Sequence, residues 1–259
     1  MEKNLYLNSA RFYDKGNEIK GYDWDINFYR SFVQEGTKVL ELGCGTGRIT
    51  LPLIASCKSI TAIDFSEQML EILQQKVSKL DADTRKRLFL QKDDMCSFNT
   101  EDFYDLIIFP GLAFMALTTD EQRRNCLSCA AKHLAVGGKI VLDMIHPDED
   151  QVSRTGNVRI DFEYFDEELN CTVRKLSIVE GHDKEKQTQG IKYTFELLQN
   201  DRCIETIEDR FELAYLYRHQ LQALFEETGF SIERSYGWYD FSSVDPNNKQ
   251  LLIYVLSKQ

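Results

Sequence analysis

The chain has 259 residues, 42% of them hydrophobic and 28% charged, the composition of an ordinary globular protein with length for one or two domains. Its formal net charge of −11 weighs against an RNA or DNA substrate and against an anionic membrane surface, because both favour a basic face. Neither a signal-peptide pattern nor an apolar run of about 18 residues occurs, and seven scattered cysteines favour reduced thiols, so we expect a cytoplasmic protein.

Short apolar runs alternate with helical patterns through the first half of the chain. The runs "KVLEL", "SITAID", "RLFLQ", "YDLIIF" and "KIVLDMI" predict five buried strands. Between them, helices are predicted from about Gly47, from Ser66 to about Leu80, and from about Thr119 to Leu134. Ser66 is the expected N-cap of its helix, and Gly137-Gly138 is expected to end the last one. Strands that alternate with helices predict a parallel sheet covered on both faces.

From about Val158 to Tyr215 the pattern changes to consecutive strands separated by charged turns. "VRIDFEYF", "CTVRKLSIV", "IKYTFELL" and "IETIEDRFELAYLY" predict an antiparallel insert of about four strands. The first run places Val158, Ile160, Phe162 and Tyr164 on one face. A helix over "HQLQALFEETGF", ended by Gly229, and a hairpin-like pair, "SIERSYGWY" and "QLLIYVLSK", follow.

The stretch "ELGCGTGR" joins the first predicted strand to a helix. Glycines at such a turn let the backbone approach a ligand, and the helix N-terminus offers free N–H groups. The spacing Gly43-x-Gly45-x-Gly47 departs from the dinucleotide fingerprint, because Arg48 occupies the place of its third glycine. A nucleotide-type cofactor is indicated, with a plain tight turn as the alternative.

Acidic residues follow the next two predicted strands, at the edge of the sheet where ligands bind in open α/β folds. Asp64, about 20 residues after Gly43, can accept hydrogen bonds from both ribose hydroxyls of an adenosine. It can also be a helix-start acid. Asp94, next to Asp93, can accept from an adenine amino group while Met95 packs on the ring; a solvated acidic pair is the alternative.

In this order and at these strand ends, Glu41-Leu-Gly43-Cys-Gly45-Thr-Gly47, Asp64 and Asp94-Met95 resemble the class I S-adenosylmethionine-dependent methyltransferases. The resemblance covers nearly the whole chain, and it extends to a small-molecule branch with an N-terminal Tyr-Asp, here Tyr13-Asp14, and a β insert after strand five. It implies an α/β fold with a Rossmann-like, seven-stranded, mostly parallel sheet and helices on both faces. Residues 1–147 and 216–259 would form this core, with a helical cap over 1–36. Residues 148–215 would form the antiparallel insert, a lid over the substrate.

The resemblance implies S-adenosylmethionine as the cofactor and assigns its contacts. Tyr13 would approach the reacting methyl group, and a packed aromatic in the cap is the alternative. The run "FPGLAFMAL" after strand four is apolar where the family often has a polar residue, which makes a catalytic polar group in this loop doubtful. The resemblance also assigns residues to the methionine end, the ribose, the adenine and the sulfonium of the cofactor. In chain order they are Glu41, Gly43, Cys44, Gly45, Gly47, Asp64, Phe65, Met69, Asp94, Met95, Phe109 and Pro110.

His146, in "LDMIHPDED" after strand five, is the candidate general base, because a neutral imidazole can take a proton near pH 7. A packed or solvated loop histidine is the alternative. Tyr13 is the second catalytic candidate. Arg218, Trp238 and Tyr239 are expected to contact the substrate, and the two aromatic residues can instead be core side chains.

The pair Cys126-x-x-Cys129 lacks the second pair that a zinc site needs, so we expect no metal. The expected function is transfer of a methyl group to N, O or C of a small metabolite, by a monomer or homodimer without nucleic-acid or membrane partners. An RNA or protein methyltransferase on the same scaffold and a non-catalytic S-adenosylmethionine-binding regulatory protein are the alternatives. The glycine spacing disfavours a nicotinamide dehydrogenase.

Overall fold

A computed structural model describes residues 5–21, 23–145, 155–245 and 251–259. Its strands are β1 Lys38–Leu42, β2 Ser59–Asp64, β3 Leu88–Lys92, β4 Tyr104–Phe109, β5 Leu134–Met144, β6 Arg159–Asp166, β7 Cys171–Asp183, β8 Thr188–Gln199, β9 Arg202–Ala214, β10 Phe230–Tyr236 and β11 Leu252–Lys258. Its α-helices are α1 Tyr13–Lys20, α2 Trp24–Arg30, α3 Thr50–Ile54, α4 Glu67–Ser78, α5 Ala82–Arg85, α6 Asp120–His133 and α7 Arg218–Glu227. No described helix is both long and apolar enough to cross a membrane.

The larger sheet has seven strands in the order β3-β2-β1-β4-β5-β11-β10. The first five pair in parallel, and β11 pairs antiparallel with both β5 and β10. The predicted fold class is therefore confirmed, including the antiparallel terminal pair. The reversal of strand order between β1 and β4 opens the crevice in which such sheets bind ligands.

The core lies in two layers because successive strand residues point to opposite faces of the sheet. On β1, Leu40 and Leu42 pack into the cluster on the side of α6 and α7, and Val39 packs into the cluster on the side of α2, α3 and α4. Strand β1 is therefore buried on both faces, as expected of a parallel strand between helical layers.

The helix signals in the sequence hold for α4 and the start of α6. Ser66 caps α4 by accepting a hydrogen bond from the Met69 N–H at 3.3 Å. Thr119 caps α6 and forms a reciprocal capping box with Gln122. The helix predicted from about Gly47 begins at Thr50.

The prediction that Gly137-Gly138 ends α6 is wrong. The helix ends at His133, and β5 starts at Leu134 and includes both glycines. Gly137 has a φ of +76°, and a Cβ on Gly138 would lie 3.0 Å from the Tyr104 carbonyl oxygen. The pairing of β4 with β5 is irregular at this point, so the glycines allow a distorted strand beside close backbone.

The insert is a separate antiparallel sheet in the order β6-β7-β8-β9. The predicted common face for Val158, Ile160, Phe162 and Tyr164 is wrong, because the pairing of β6 with β7 shifts between Ile160 and Phe162. Asp161 is the extra residue of this β-bulge, so Ile160 is 62% exposed and Phe162 only 8%.

The N-terminal segment packs on the inner face of the insert. Phe12 stacks on Phe195 with ring centroids 4.8 Å apart. A Cβ on Gly16 of α1 would lie 2.6 Å from the Phe162 ring, so only glycine allows this close approach. Asp209 of β9 accepts hydrogen bonds from the backbone N–H groups of Asn8 and Ser9, each at 3.0 Å.

Candidate active site

The three glycines after β1 all have positive φ, at +81°, +54° and +83°, but their surroundings differ. A Cβ on Gly43 would lie 2.6 Å from the Ala113 Cβ, and one on Gly47 would lie 2.3 Å from a Leu73 methyl group. A Cβ on Gly45 would meet no atom within 4 Å. Gly43 and Gly47 therefore allow close packing, whereas Gly45 presents bare backbone to open space.

Asp64 ties this turn to the start of α4. Its carboxylate accepts hydrogen bonds from the Gly45 N–H at 2.7 Å and the Ser66 N–H at 2.8 Å. Burial raises the pKa of Asp64, although the backbone donors around the carboxylate oppose this shift. The side chain is therefore held at the end of β2.

A cavity of about 220 Å³, here called the turn cavity, lies against the glycine turn. A smaller cavity of about 50 Å³ shares Gly43, Asp64, Phe65 and Met95 with it, and adds Asp93 and Asp94. The sequence-predicted residues that line the turn cavity are Tyr13, Gly43, Gly45, Asp64, Phe65, Met69, Met95 and Pro110.

Four of the predicted cofactor contacts are absent from the walls of these two cavities. Glu41 is buried, accepts a hydrogen bond from the Thr50 hydroxyl at 2.7 Å, and has its pKa raised by burial to about 8. Cys44 is buried in the core, and Gly47 lies under Leu73. Phe109 is fully buried and packs edge-on against a neighbouring ring. Direct cofactor contact by these four residues stays a prediction.

A larger cavity of about 450 Å³, here called the insert cavity, lies between α1, α2, the insert sheet and the loop after β10. Trp238 and Tyr239 line it, and their contact with a substrate stays a prediction. The rings of Trp24 and Trp238 pack with centroids 6.0 Å apart. Arg48 and Asp25 form a two-pronged ion pair in its wall, at 2.6 and 2.5 Å.

The insert cavity also has charged walls that the sequence did not indicate. Lys20, Arg159, Asp161 and Lys175 line it together with the Arg48–Asp25 pair. Charged residues in such helix and strand runs are typical of solvated surface, and only the fold brings Lys20 and Lys175 to Asp161. Arg159 and Asp161 carried no distinct local signal, because Glu163 and Asp166 are charged residues of the same strand.

The two cavities meet at a junction, defined by the residues that line both: Tyr6, Tyr13, Gly111, Leu112 and Tyr193. The rings of Tyr6 and Tyr13 pack edge-to-face with centroids 5.0 Å apart. Burial raises the pKa of Tyr13, and the nearby Arg48 opposes this shift. The Tyr13 hydroxyl is therefore protonated at neutral pH, and Tyr13 stands in the wall that the two cavities share.

Asp143, at the end of β5, holds three segments around this junction. Its buried carboxylate accepts hydrogen bonds from the Tyr29 hydroxyl at 2.7 Å and the Tyr239 hydroxyl at 2.8 Å. The backbone N–H groups of Gly111 and Leu112 donate to it at 3.1 and 2.6 Å. Leu112 has a left-handed φ of +66°, so these bonds fix a strained turn in the cavity wall. No sequence motif indicated this role for Asp143.

Other predicted site residues are placed elsewhere. His146 lies outside the described residues. Arg218 is exposed at the start of α7 and is absent from the walls of the three cavities described above, so the structure does not bring it to the predicted substrate site. Cys126 is buried in the core, and the Cys129 thiol donates to the Phe98 carbonyl.

Part of the chain is similar in sequence to known proteins. Residues 39–138 match the family model described as a methyltransferase domain. A putative methyltransferase of Bacillus subtilis, YqeM, is 36% identical over 89 residues, 34% of each chain. The cypemycin N-terminal methyltransferase of a Streptomyces species is 29% identical over 117 residues, 45% of each chain. These matches span about a third to a half of the relatives' lengths.

Solved structures resemble the whole chain at low identity. The CcbJ methyltransferase of Streptomyces caelestis has a TM-score of 0.84 and 18% identity, covering 100% of this chain and 99% of that one. CalS10 of Micromonospora echinaspora, an amino pentose methyltransferase with bound S-adenosylmethionine, has a TM-score of 0.69 and 18% identity over 98% and 99%. Residues 39–138 are therefore similar to a methyltransferase domain, and the chain shares the fold of these solved class I methyltransferases, as its motifs predicted.

Proposed function

We propose that this chain is an S-adenosylmethionine-dependent methyltransferase that moves a methyl group to N, O or C of a small metabolite. The observation that carries the proposal is the pair of cavities meeting at the junction. One is built on the glycine turn, and the other lies under the insert. Two ligands bound there would face each other at Tyr13, as transfer between them requires.

The residues of the turn cavity fit the proposed cofactor. Gly45 presents backbone to open space, and the Asp64 carboxylate stands beside it at the end of β2. The adjoining small cavity has Asp94 and Met95 in its wall. Asp64 would hold the ribose hydroxyls, and Asp94 with Met95 would hold the adenine. The walls therefore offer polar groups where an adenosine has hydroxyls and an amino group.

When bound, S-adenosylmethionine supplies a methyl group on a sulfonium, which is already an activated electrophile. The remaining task of the protein is alignment and exclusion of water. Tyr6, Tyr13 and Tyr193 enclose the junction, and the Tyr13 hydroxyl can hydrogen-bond the acceptor there. A general base is needed only for an acceptor that must lose a proton, and His146 keeps that role as a prediction.

The insert cavity favours a small acceptor over a macromolecule. Its volume of about 450 Å³ falls in the range of small-molecule sites, and the cap and insert wall it on two sides. We therefore propose that the insert acts as a lid over the acceptor. The net charge of −11 supports an acceptor other than nucleic acid, and seven free cysteines support a cytoplasmic setting.

Calorimetry with S-adenosylmethionine and with NAD tests the cofactor. We expect binding of the first and loss of that binding in Asp64→Ala, with folding checked by circular dichroism. Tight NAD binding without S-adenosylmethionine binding would overturn the proposal. A screen of metabolite extracts with a labelled methyl donor tests the acceptor. Label in RNA or protein alone would favour those substrates, and cofactor binding without any label would favour a regulatory protein.

A further inference from the structure

The inner face of the insert carries a group of charged side chains turned toward the insert cavity. Lys20 of α1, Arg159 and Asp161 of β6, and Lys175 of β7 all line that cavity. In a regular strand, neighbours such as Asp161 and Phe162 point to opposite faces. Here both line the cavity, because Asp161 is the extra residue of the β-bulge. Bulges of this kind re-aim side chains and are frequent beside active sites.

The carboxylate of Asp161 is fully engaged by its neighbours. One oxygen accepts hydrogen bonds from the Ser177 hydroxyl and the Arg159 Nε, both at 2.9 Å. The other lies 3.3 Å from the Lys175 ammonium and 3.9 Å from the Lys20 ammonium. The Asp161 side chain is only 3% exposed. A cationic group of a ligand would therefore find this carboxylate already occupied.

The cations of this group outnumber its anions. Three positive side chains share Asp161 as their carboxylate in the cavity wall, while Arg48 is neutralised by its own two-pronged pair with Asp25. Among the described wall residues this leaves an excess of positive charge, in a chain whose net charge is −11. Within a partly enclosed cavity such an excess attracts an anion more strongly than it would in water.

Lys175 is the central member of the group. Its ammonium lies 3.6 Å from the centroid of the Tyr193 ring, and its side chain is 10% exposed. Asp161 and the Tyr193 ring account for two of the directions in which its three N–H donors can point. Burial lowers the pKa of Lys175 to about 8, with Asp161 opposing the shift and Lys20 adding to it. An anion bound beside Lys175 would stabilise the charged ammonium form that burial disfavours.

We propose that Lys175, with Lys20 and Arg159, forms a subsite for an anionic group of the methyl acceptor, a carboxylate or a phosphate. The inference rests on the proposed function and names the acceptor class. The Lys175 ammonium lies over the Tyr193 ring, and Tyr193 also lines the junction. The anionic group and the methylated atom of the acceptor would therefore be separated by about the width of the Tyr193 ring. The acceptor is thus a small anionic metabolite, and the aromatic cavity walls suit a ring.

Three probes of similar shape test the subsite in the full chain: benzoate, phenyl phosphate and the neutral benzamide. Binding is measured by calorimetry at constant ionic strength. We expect benzoate or phenyl phosphate to bind at least about tenfold more tightly than benzamide, and whichever binds better distinguishes a carboxylate from a phosphate acceptor. This preference for the anionic probes should disappear in Lys175→Met, because the substitution keeps a long side chain and removes its charge. Lys192→Met, on β8 and paired with Glu208, is the matched control that should retain it.

Equal binding of the three probes, or no binding of either anion at millimolar concentration, would overturn the subsite. So would an unchanged preference in Lys175→Met. If that variant does not fold, Lys20→Met replaces it with the same expected loss. Affinity for S-adenosylmethionine is measured on every variant and should stay within about twofold of the parent. Failure of the parent chain to bind S-adenosylmethionine contradicts the proposed function, whereas absence of the anion preference in a parent chain that binds S-adenosylmethionine contradicts only the subsite.

Discussion

At the scale of single residues, Asp143 stands out because one buried carboxylate receives four hydrogen bonds from three segments. We expect Asp143→Ala to lower the free energy of unfolding by about 3 kcal/mol, since several buried donors lose their acceptor. Tyr239→Phe removes one donor and should cost about 1 kcal/mol. Urea denaturation measures both. A loss below that of Tyr239→Phe would show that the carboxylate does not hold the junction together.

Glu41 gives a pH dependence with a definite sign. Its pKa in the folded chain is about 8, above the ordinary value, because burial disfavours the charged form. The neutral carboxyl therefore stabilises the fold fully below about pH 4, and this contribution is lost as the pH rises through 8. Glutamine stays neutral and keeps an acceptor for Thr50. We expect Glu41→Gln to gain stability relative to the parent between about pH 5 and 8.

The measurement for Glu41 is urea denaturation of both chains across that pH range. Glu71→Gln, at an exposed position on α4, is the matched control for loss of a carboxylate. A difference between Glu41→Gln and the parent that does not change with pH would contradict a neutral Glu41 in the folded chain.

Tyr13 tests whether the junction is where transfer occurs. We expect Tyr13→Phe to lower turnover at least about tenfold while leaving S-adenosylmethionine affinity within about twofold, because the lost hydroxyl would orient the acceptor. Single-turnover rates with an acceptor from the labelled-methyl screen, combined with calorimetry, separate the two effects. Tyr164→Phe, on the insert but outside the described cavity walls, is the control. Equal turnover in the two variants would remove Tyr13 as a participant.

At the scale of elements, different glycines of the turn serve packing and ligand binding, so substitutions there can distinguish the two roles. Gly47→Ala drives a Cβ into Leu73 of α4, so we expect a loss of several kcal/mol in unfolding free energy. Gly45→Ala meets no atom and should cost only about 1 kcal/mol, the ordinary penalty for a left-handed residue. It should nevertheless weaken S-adenosylmethionine binding at least about tenfold, because its methyl group would enter the turn cavity.

Gly229→Ala is the matched control for these glycine variants, since Gly229 has a φ of +81° and open space around its Cβ position. It should show the stability loss of Gly45→Ala without any change in cofactor affinity. Denaturation and calorimetry on the three variants provide the comparison. Unchanged affinity in Gly45→Ala would mean that the cofactor does not lie against this turn.

Local patterns predicted the elements well because each signal was contained in a few residues. Ser66 capped α4 and the apolar runs became strands, as period and capping chemistry require. The failures were irregular strands. Gly137 reads as a helix stop but lies in a distorted β5, and the bulge at Asp161 turned Ile160 outward. Both distortions arise from pairing with a neighbouring strand, and the pattern within a single segment carries no information about that pairing.

At the scale of the whole molecule, the turn cavity was more predictable than the insert cavity. Asp64 and Met95 follow strands whose carboxyl ends must share one edge of a parallel sheet. The insert cavity combines Lys20 and Asp25 of the cap with Lys175 of the insert, and their meeting depends on how those parts pack. Charged residues in such segments are typical of solvated surface, so the sequence offered no reason to group them.

The packing of the N-terminal cap on the insert depends in part on Asp209, whose buried carboxylate accepts hydrogen bonds from the backbone N–H groups of Asn8 and Ser9. We expect Asp209→Ala to speed hydrogen exchange in residues 5–21 at least about tenfold, because the anchor between cap and insert is lost, while the seven-stranded sheet keeps its protection. Exchange followed by mass spectrometry measures this. Glu205→Ala, exposed on the same strand, is the control. Equal exchange in both variants would show that other contacts, such as Phe12 on Phe195, suffice to hold the cap over the insert cavity.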